Sequence, residues 1–430
     1  MPCFVIVLAV SFVICSLVKD AVAQGAQVQQ VDNAEQFALL CRIYNVAKNP
    51  PINHVDLQDP FKIVEGIDAI NASFADEKQP NEAEQVGNNS YAHVKPTTTR
   101  EAAVAQVLER ITQKAHSILE EIQKVNATRN IEKAKSEFSQ VIFGEWMNES
   151  QLCEDTLKGL GERGNACGKP GAREKGTYAG KNLVVDFFCL CTMRADKEKE
   201  GIENVCGVKV GGKDDTHSWG ASSPSGSSSM WASIKKGCGS LMHTHPKSTK
   251  EGYEAVGDFL KHLKAGGLYR WGTTSKVDGS NRKARMLGTG VETEGNHGRD
   301  LLCDGSRGKA SPASGRSNGG KPVNHAGICI YYGEQAQWED DIPWLTQLKT
   351  ALASVEAANK QTATIQRSIE KLQMLQHRTE EIYETTKVIS EIQNPVAPTN
   401  LQTAARRFTA YNTAWRYHYP FILPCLLLFF

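Results

Sequence analysis

The sequence predicts a mainly α protein: a long antiparallel helical hairpin, or coiled-coil rod, with an inserted disulfide-rich, loop-rich head lobe containing short strands. Three observations predict it. Two stretches far apart in the 430-residue chain each carry a single apolar seam at helical spacing. The segment between them is rich in glycine, lysine and serine and poor in long apolar runs. Eight cysteines fall in that same segment, between positions 153 and 329.

The first seam opens at a capping box formed by Thr98 and Glu101, in which each side chain serves a backbone N–H near the other. Val104, Leu108, Ile111, Ala115, Ile118, Ile122 and Val125 then recur at steps of four and three, a heptad pattern. Ile131, Ala134, Phe138 and Val141 carry the face on after a polar interruption, and Gly144 offers a stop. As one helix this stretch is about 65–70 Å long. The second seam starts where Asp340 or Asp341 can cap and Pro343 fits the first turn. Leu345, Leu348, Leu352, Val355, Ile365, Ile369, Leu372, Leu375 (or Met374), Ile382 and Ile389 follow, until Asn394-Pro395 ends a helix of about 75–80 Å. Two helices of similar length, each with one apolar seam, are expected to bury those seams against each other.

A shorter helix is expected over residues 32–49, where Asp32 and Glu35 form a capping box and Pro50-Pro51 ends it. Residues 50–96 read as mixed, with an exposed loop around Pro80 to Pro96. In the head, Leu183–Thr192 and Gly327–Gly333 are the strand candidates. "SWGASSPSGSSSMWAS" and "DGSRGKASPASGRSNGGKP" read as low-complexity surface loops. "EGYEAVGDFLKHLKAGGLYRWG" reads as a short amphipathic helix with solvated carboxylates. A region this polar is expected to depend on disulfides more than on a core. The expected organisation is a signal peptide at 1–23, an N-terminal helix, loop and first rod helix at 24–144, the head at 145–337, the second rod helix at 338–394, a short linker at 395–418 and an apolar tail at 419–430.

Both ends bear on location. An apolar run from Phe4 to Val18 precedes Ala21-Val22-Ala23, the pattern of a secretory signal peptide cut before Gln24. From Tyr419 the tail is apolar to Phe430 but is broken by Pro420 and Pro424. It is too short to span a bilayer and reads as a lipid-anchor signal. With a secretory route, the sequons at Asn71, Asn88, Asn126 and Asn148 become glycan candidates. Outside the signal peptide and tail, the cysteines are Cys41, Cys153, Cys167, Cys189, Cys191, Cys206, Cys238, Cys303 and Cys329. In an oxidising compartment these are disulfide candidates, and nine is an odd number. Read as a strand, Cys189-Leu190-Cys191 cannot bridge to itself.

A formal net charge of +1 gives no reason to expect nucleic acid. The Walker loop and H-E-x-x-H are missing from the sequence. "GSLMHTHPKSTKEGYEAVGD" resembles the His-x-His-Pro of JAMM-type zinc hydrolases through His243 and His245. At the family's serine and aspartate positions, however, stand Tyr253 and Val256, and Asp258 falls two residues late. The expectation is a polar loop, with no catalytic, cofactor or metal site.

Together, the signal sequence, the stretch Gln36-Phe37-Ala38-Leu39-Leu40-Cys41-Arg42-Ile43-Tyr44, the paired long helices, the cysteine-rich head and the apolar tail resemble the trypanosome variant surface glycoproteins. The stretch Gln36 to Tyr44 is similar to Trypanosoma congolense members. The resemblance implies a non-enzymatic, N-glycosylated homodimer held on the outer leaflet of the plasma membrane by a glycosylphosphatidylinositol lipid. It also implies dense packing with lateral coat neighbours, exposure to host antibodies, and antigenic variation as the route of immune evasion. The tail and the polar linker before it are shorter than that family's usual pattern. Two other readings stand beside it: a surface nutrient or host-protein receptor on the same helical rod, and a secreted zinc hydrolase using His243 and His245.

Overall fold

The computed structural model describes residues 25–53, 58–76, 99–125, 127–145, 148–153, 155–196, 200–213, 217–220, 223–273, 276–293, 299–308, 326–334 and 342–393. The chain divides into two compact units, one comprising Met1–Val55 and Asn126–Ala363, the other Asp56–Val125 and Thr364–Phe430.

The first unit opens with α1 (Ala34–Lys48), which buries Phe37, Leu40, Cys41, Ile43 and Tyr44. The expected Asp32/Glu35 capping box does not form. Asn33 occupies the N-cap without a side-chain cap bond, because both residues are committed to tertiary contacts. Asp32 makes a two-pronged pair with Arg270 at 2.5 and 2.8 Å. The buried Asn33 amide donates to the carbonyls of Leu190 and Ile328 at 2.9 and 2.8 Å, and its oxygen accepts from the Thr289 hydroxyl at 3.0 Å.

The segment expected as one helix over 98–143 is two in the structure. They are α3 (Thr99–Lys124), which belongs to the second unit, and α4 (Ala127–Phe143), which belongs to the first. The first helix tightens at its end, where the Val125 N–H bonds back to the Ile122 carbonyl at 3.1 Å, an i→i−3 closure that finishes helices. Thr98 lies outside the described residues. In the first unit, α4 lies beside the opening part of α9 (Pro343–Gln393). Gln140 accepts from Gln347 at 2.9 Å and Asn130 donates to Gln361 at 2.6 Å. As one helix descends in number the other ascends, so the two are antiparallel there. Ala134, Phe138 and Val141 of α4 and Leu345, Leu348, Leu352 and Val355 of α9 enter one buried cluster.

Two 3₁₀ turns (Glu149–Cys153 and Asp155–Leu160) and α5 (Arg163–Cys167) lead to the two-residue strands β1 (Gly168–Lys169) and β2 (Glu174–Lys175). Next comes α6 (Leu183–Cys191), and here the sequence expectation of a strand is overturned. Asn182 caps the helix by accepting from the Val185 N–H at 2.9 Å, and all nine residues are buried. An uninterrupted apolar run has no periodicity to tell a buried strand from a buried helix. Neighbours at i and i+2 on a helix point about 200° apart, so Cys189 and Cys191 reach different partners.

After α7 (Ser227–Leu241) and the amphipathic α8 (Thr249–Ala265) comes a sheet of β3 (Gly267–Gly272), β4 (Val277–Lys283), β5 (Met286–Thr293) and β6 (Ala326–Tyr331). Its order is β4-β3-β5-β6, antiparallel except for the parallel β3–β5 pair. The strand expected at Gly327–Gly333 is β6. The head, expected to depend on disulfides more than on a core, has an extensive apolar core beside its disulfides. α6, β5 and β6 bury Val184, Phe187, Phe188, Leu190, Leu287, Val291, Ile328 and Ile330 in the same cluster as α1, α7 and α8. Tyr44, Phe143 and Phe187 surround Trp231 edge-on, with centroids 5.4–6.0 Å apart, a favoured aromatic geometry.

The second unit contains α2 (Pro60–Asp76), α3 and the remainder of α9 from Thr364. The first of these falls where a mixed segment was expected, and Pro60 stands at its first position, where a missing N–H does no harm. α2 packs on α3, with Asp68 and His116 3.0 Å apart. It meets α9 through Gln373, which donates to Gln58 at 2.6 Å, and through Gly66, which has the Gln376 amide against it. Ile63, Val64, Ile67 and Phe74 of α2, Leu108, Ile111, Ala115, Ile118 and Leu119 of α3, and Ile365, Ile369 and Leu372 of α9 are buried. Of the alternatives at the next seam position, Leu375 is half-buried and Met374 is 65% exposed.

Candidate functional site

The histidine stretch resolves into the end of α7, an exposed loop and α8. His243 and His245 are both exposed. Asn45 of α1 holds the loop by donating to the Thr244 carbonyl at 2.8 Å. Asp258 pairs with Arg42, and Glu254 lies 3.9 Å from the same guanidinium. These carboxylates of α8 are solvated, as expected, and paired, which was not expected. Among the described residues no cluster of three or more His, Cys, Asp or Glu could hold a metal ion.

The buried ionisable groups tie elements together. Asp186 in α6 is fully buried. One carboxylate oxygen accepts from the Gly180 N–H at 2.9 Å. The other accepts from the Tyr332 hydroxyl at 2.8 Å and from the Trp344 indole N–H at 2.7 Å. The bonds join α6, the residue after β6, and the first turn of α9. Burial pushes its pKa up to about 7, against the opposing pull of the three donors. Burial and that carboxylate together drive the Tyr332 phenol well above its usual value.

Arg163 of α5 is also fully buried. Its guanidinium donates to the carbonyls of Thr192, Phe188 and Cys189 at 2.8, 3.2 and 2.8 Å. A cation at a helix C-terminus satisfies orphan carbonyls and meets the negative end of the dipole, which helps α6 stop at Cys191. Burial, then repulsion from Arg194, lowers its pKa to about 9, partly offset by Asp304. Gly305, at φ +82°, leaves the space this guanidinium fills, which a Cβ would occupy. Arg163→Met is expected to lower stability by about 3 kcal/mol, since the buried Thr192 and Cys189 carbonyls lose the guanidinium donor while the Phe188 carbonyl keeps only the Thr192 N–H. A denaturant midpoint unchanged from wild type would contradict this.

Four disulfides brace the first unit: Cys41–Cys238, Cys167–Cys189, Cys191–Cys206 and Cys303–Cys329. Sequence alone left their pairing open. Cys153 ends the first 3₁₀ turn, and its side chain is outside those described. Of the sequons, Asn71 lies within α2 and Asn148 precedes that same turn, while Asn88 and Asn126 lie outside the described residues. Among the described residues no helix is long and apolar enough to cross a membrane.

These features define a disulfide-braced, mainly helical scaffold whose buried charges serve its own architecture. The family model described as the Trypanosomal VSG domain matches residues 13–99 and 77–374. The chain belongs to that family. It is also similar to "Variant surface glycoprotein YnAT 1.3" of Trypanosoma congolense, 24% identical over 226 residues, which cover 51% of this chain and 44% of that protein.

Proposed function

We propose that the protein is a non-catalytic coat glycoprotein of the trypanosome surface. It is carried through the secretory pathway, anchored in the outer leaflet by a glycosylphosphatidylinositol lipid, and acts as a dense shield and variable antigen. The observation that carries this reading is the family match across residues 13–99 and 77–374. Four disulfides agree with an oxidising route. In this reading the protein is a homodimer with lateral coat neighbours, and host antibodies meet its outer loops.

The test is surface labelling of intact cells followed by phosphatidylinositol-specific phospholipase C. The expected result is labelled protein that moves into the medium after the lipase. Labelled protein that stays on the cells would refute the lipid anchor, and protein reached only after permeabilisation would refute the coat assignment itself.

A further inference from the structure

We propose that Asn148 carries an N-linked oligosaccharide and that Asn71 stays bare in the folded protein. The inference rests on the secretory reading above and goes beyond it by separating two sequons that look equivalent in sequence.

Asn148 is exposed, as are Glu149 and Ser150 after it. The described hydrogen bonds of its side chain all run through the amide oxygen, which accepts from the Ser150 hydroxyl at 2.6 Å and from the Gln151 N–H at 3.2 Å. A glycan replaces one hydrogen on the amide nitrogen and leaves that oxygen an acceptor. Both bonds therefore survive modification, and the sugar projects into water.

Asn71 is placed differently. It lies four residues after Ile67 and three before Phe74, both buried, so it shares the inward stripe of α2. Its side chain is half-buried. The sequon hydroxyl, on Ser73, is turned to the helix backbone and donates to the Ala69 carbonyl at 2.9 Å. A hydrated oligosaccharide on this stripe would have to be desolvated or would pry the helix from its neighbours. Chains modified at Asn71 before folding would fail to bury Ile67 and Phe74.

The reaction draws on a lipid-pyrophosphate-linked oligosaccharide as co-reactant. The Asn148 amide nitrogen forms a bond to the sugar's anomeric carbon as that carbon's bond to the pyrophosphate oxygen breaks. The electron pair of the broken bond goes to the lipid pyrophosphate, and the proton lost by the amide passes to solvent. No oxidation state changes.

The experiment is peptide mass spectrometry of the natively purified full chain after release of glycans by peptide-N-glycosidase in ¹⁸O-water, which converts each glycosylated Asn to ¹⁸O-labelled Asp. Most of the Asn148 peptide is expected to be converted and the Asn71 peptide is expected to remain Asn. Ser150→Ala should remove one glycan from the intact mass, and Ser73→Ala none. Labelled Asp at 71, or an unconverted Asn148, overturns the proposal. The N-terminal peptide of the same digest separates the two failures. A chain beginning at Gln24 with bare Asn148 sinks this assignment alone. One retaining Met1 and carrying no glycan sinks the secretory reading with it.

Discussion

Removing the Cys41–Cys238 bridge by the double change Cys41→Ser, Cys238→Ser is expected to be the most damaging of the disulfide losses. The bridge spans 197 residues. In the chain-entropy model, opening a loop of that size frees the unfolded state by about 5 kcal/mol. Cys167–Cys189 and Cys191–Cys206, with separations of 22 and 15, come to about 3 kcal/mol each by the same relation. Both lie inside the larger loop, but the dependence on length is logarithmic, so the shortening they impose changes little. Location adds to the effect. Cys41 and Cys238 are both buried, and the bridge fastens α1 to α7 beside Phe37 and Trp231. The measurement is the denaturant midpoint of each paired Cys→Ser variant without reductant. The expected order is Cys41/Cys238 lowest, then the two shorter loops. A Cys41/Cys238 variant as stable as wild type, or more stable than either short-loop variant, would show that native packing rather than chain entropy governs this bridge.

How much of this was legible in the sequence depended on whether the cause was local. The 51-residue helix Pro343–Gln393 was readable almost to its ends, because apolar residues recur along it from Leu345 to Ile389 and Pro343 and Pro395 mark its limits. The seam around Leu108 to Ile118 was readable for the same reason. Leu183–Cys191 was not, because its helicity is set by Asn182, by Arg163 from another element, and by burial on every side. α2 escaped notice because Pro60 and Gly66 look like loop punctuation, while its stripe of Ile63, Ile67 and Phe74 is short. The parallel β3–β5 pairing brings together strands separated by β4, and no local pattern announces that order. The sequons were legible as triplets. The difference between Asn71 and Asn148 was not, because it lies in which neighbours each one faces after folding. The pairing of the cysteines was closed to sequence reasoning for the same reason.

Substituting Asp186 is expected to have the other large effect, and to expose a pH dependence. In Asp186→Ala the Gly180 N–H, the Tyr332 hydroxyl and the Trp344 indole N–H lose their acceptor inside the core, and a cavity opens. The loss of stability should be about 3–5 kcal/mol. Asp186→Asn keeps the shape. Its oxygen can serve Tyr332 and Trp344, but its NH₂ then faces the Gly180 N–H, so the loss should be about 1–3 kcal/mol. The sign of the pH effect follows from the direction of the shift. The folded pKa, about 7, is raised above the ordinary 3.8, so between those values the folded state holds a proton that the unfolded state has released. This contribution is full below pH 3.8 and is lost as pH rises to 7, at up to about 1.4 kcal/mol per pH unit. His262 opposes it. Burial lowers its pKa, against the pull of Glu35, so its contribution is lost as pH falls through the usual histidine range. Wild type alone would therefore show a mixture, whereas the difference between wild type and Asp186→Asn isolates the carboxyl. That difference, from denaturation at pH 4.5, 6 and 8, should shrink steadily as pH rises. A constant difference would mean that Asp186 is ionised in its buried site throughout, with its three donors outweighing the cost of desolvation.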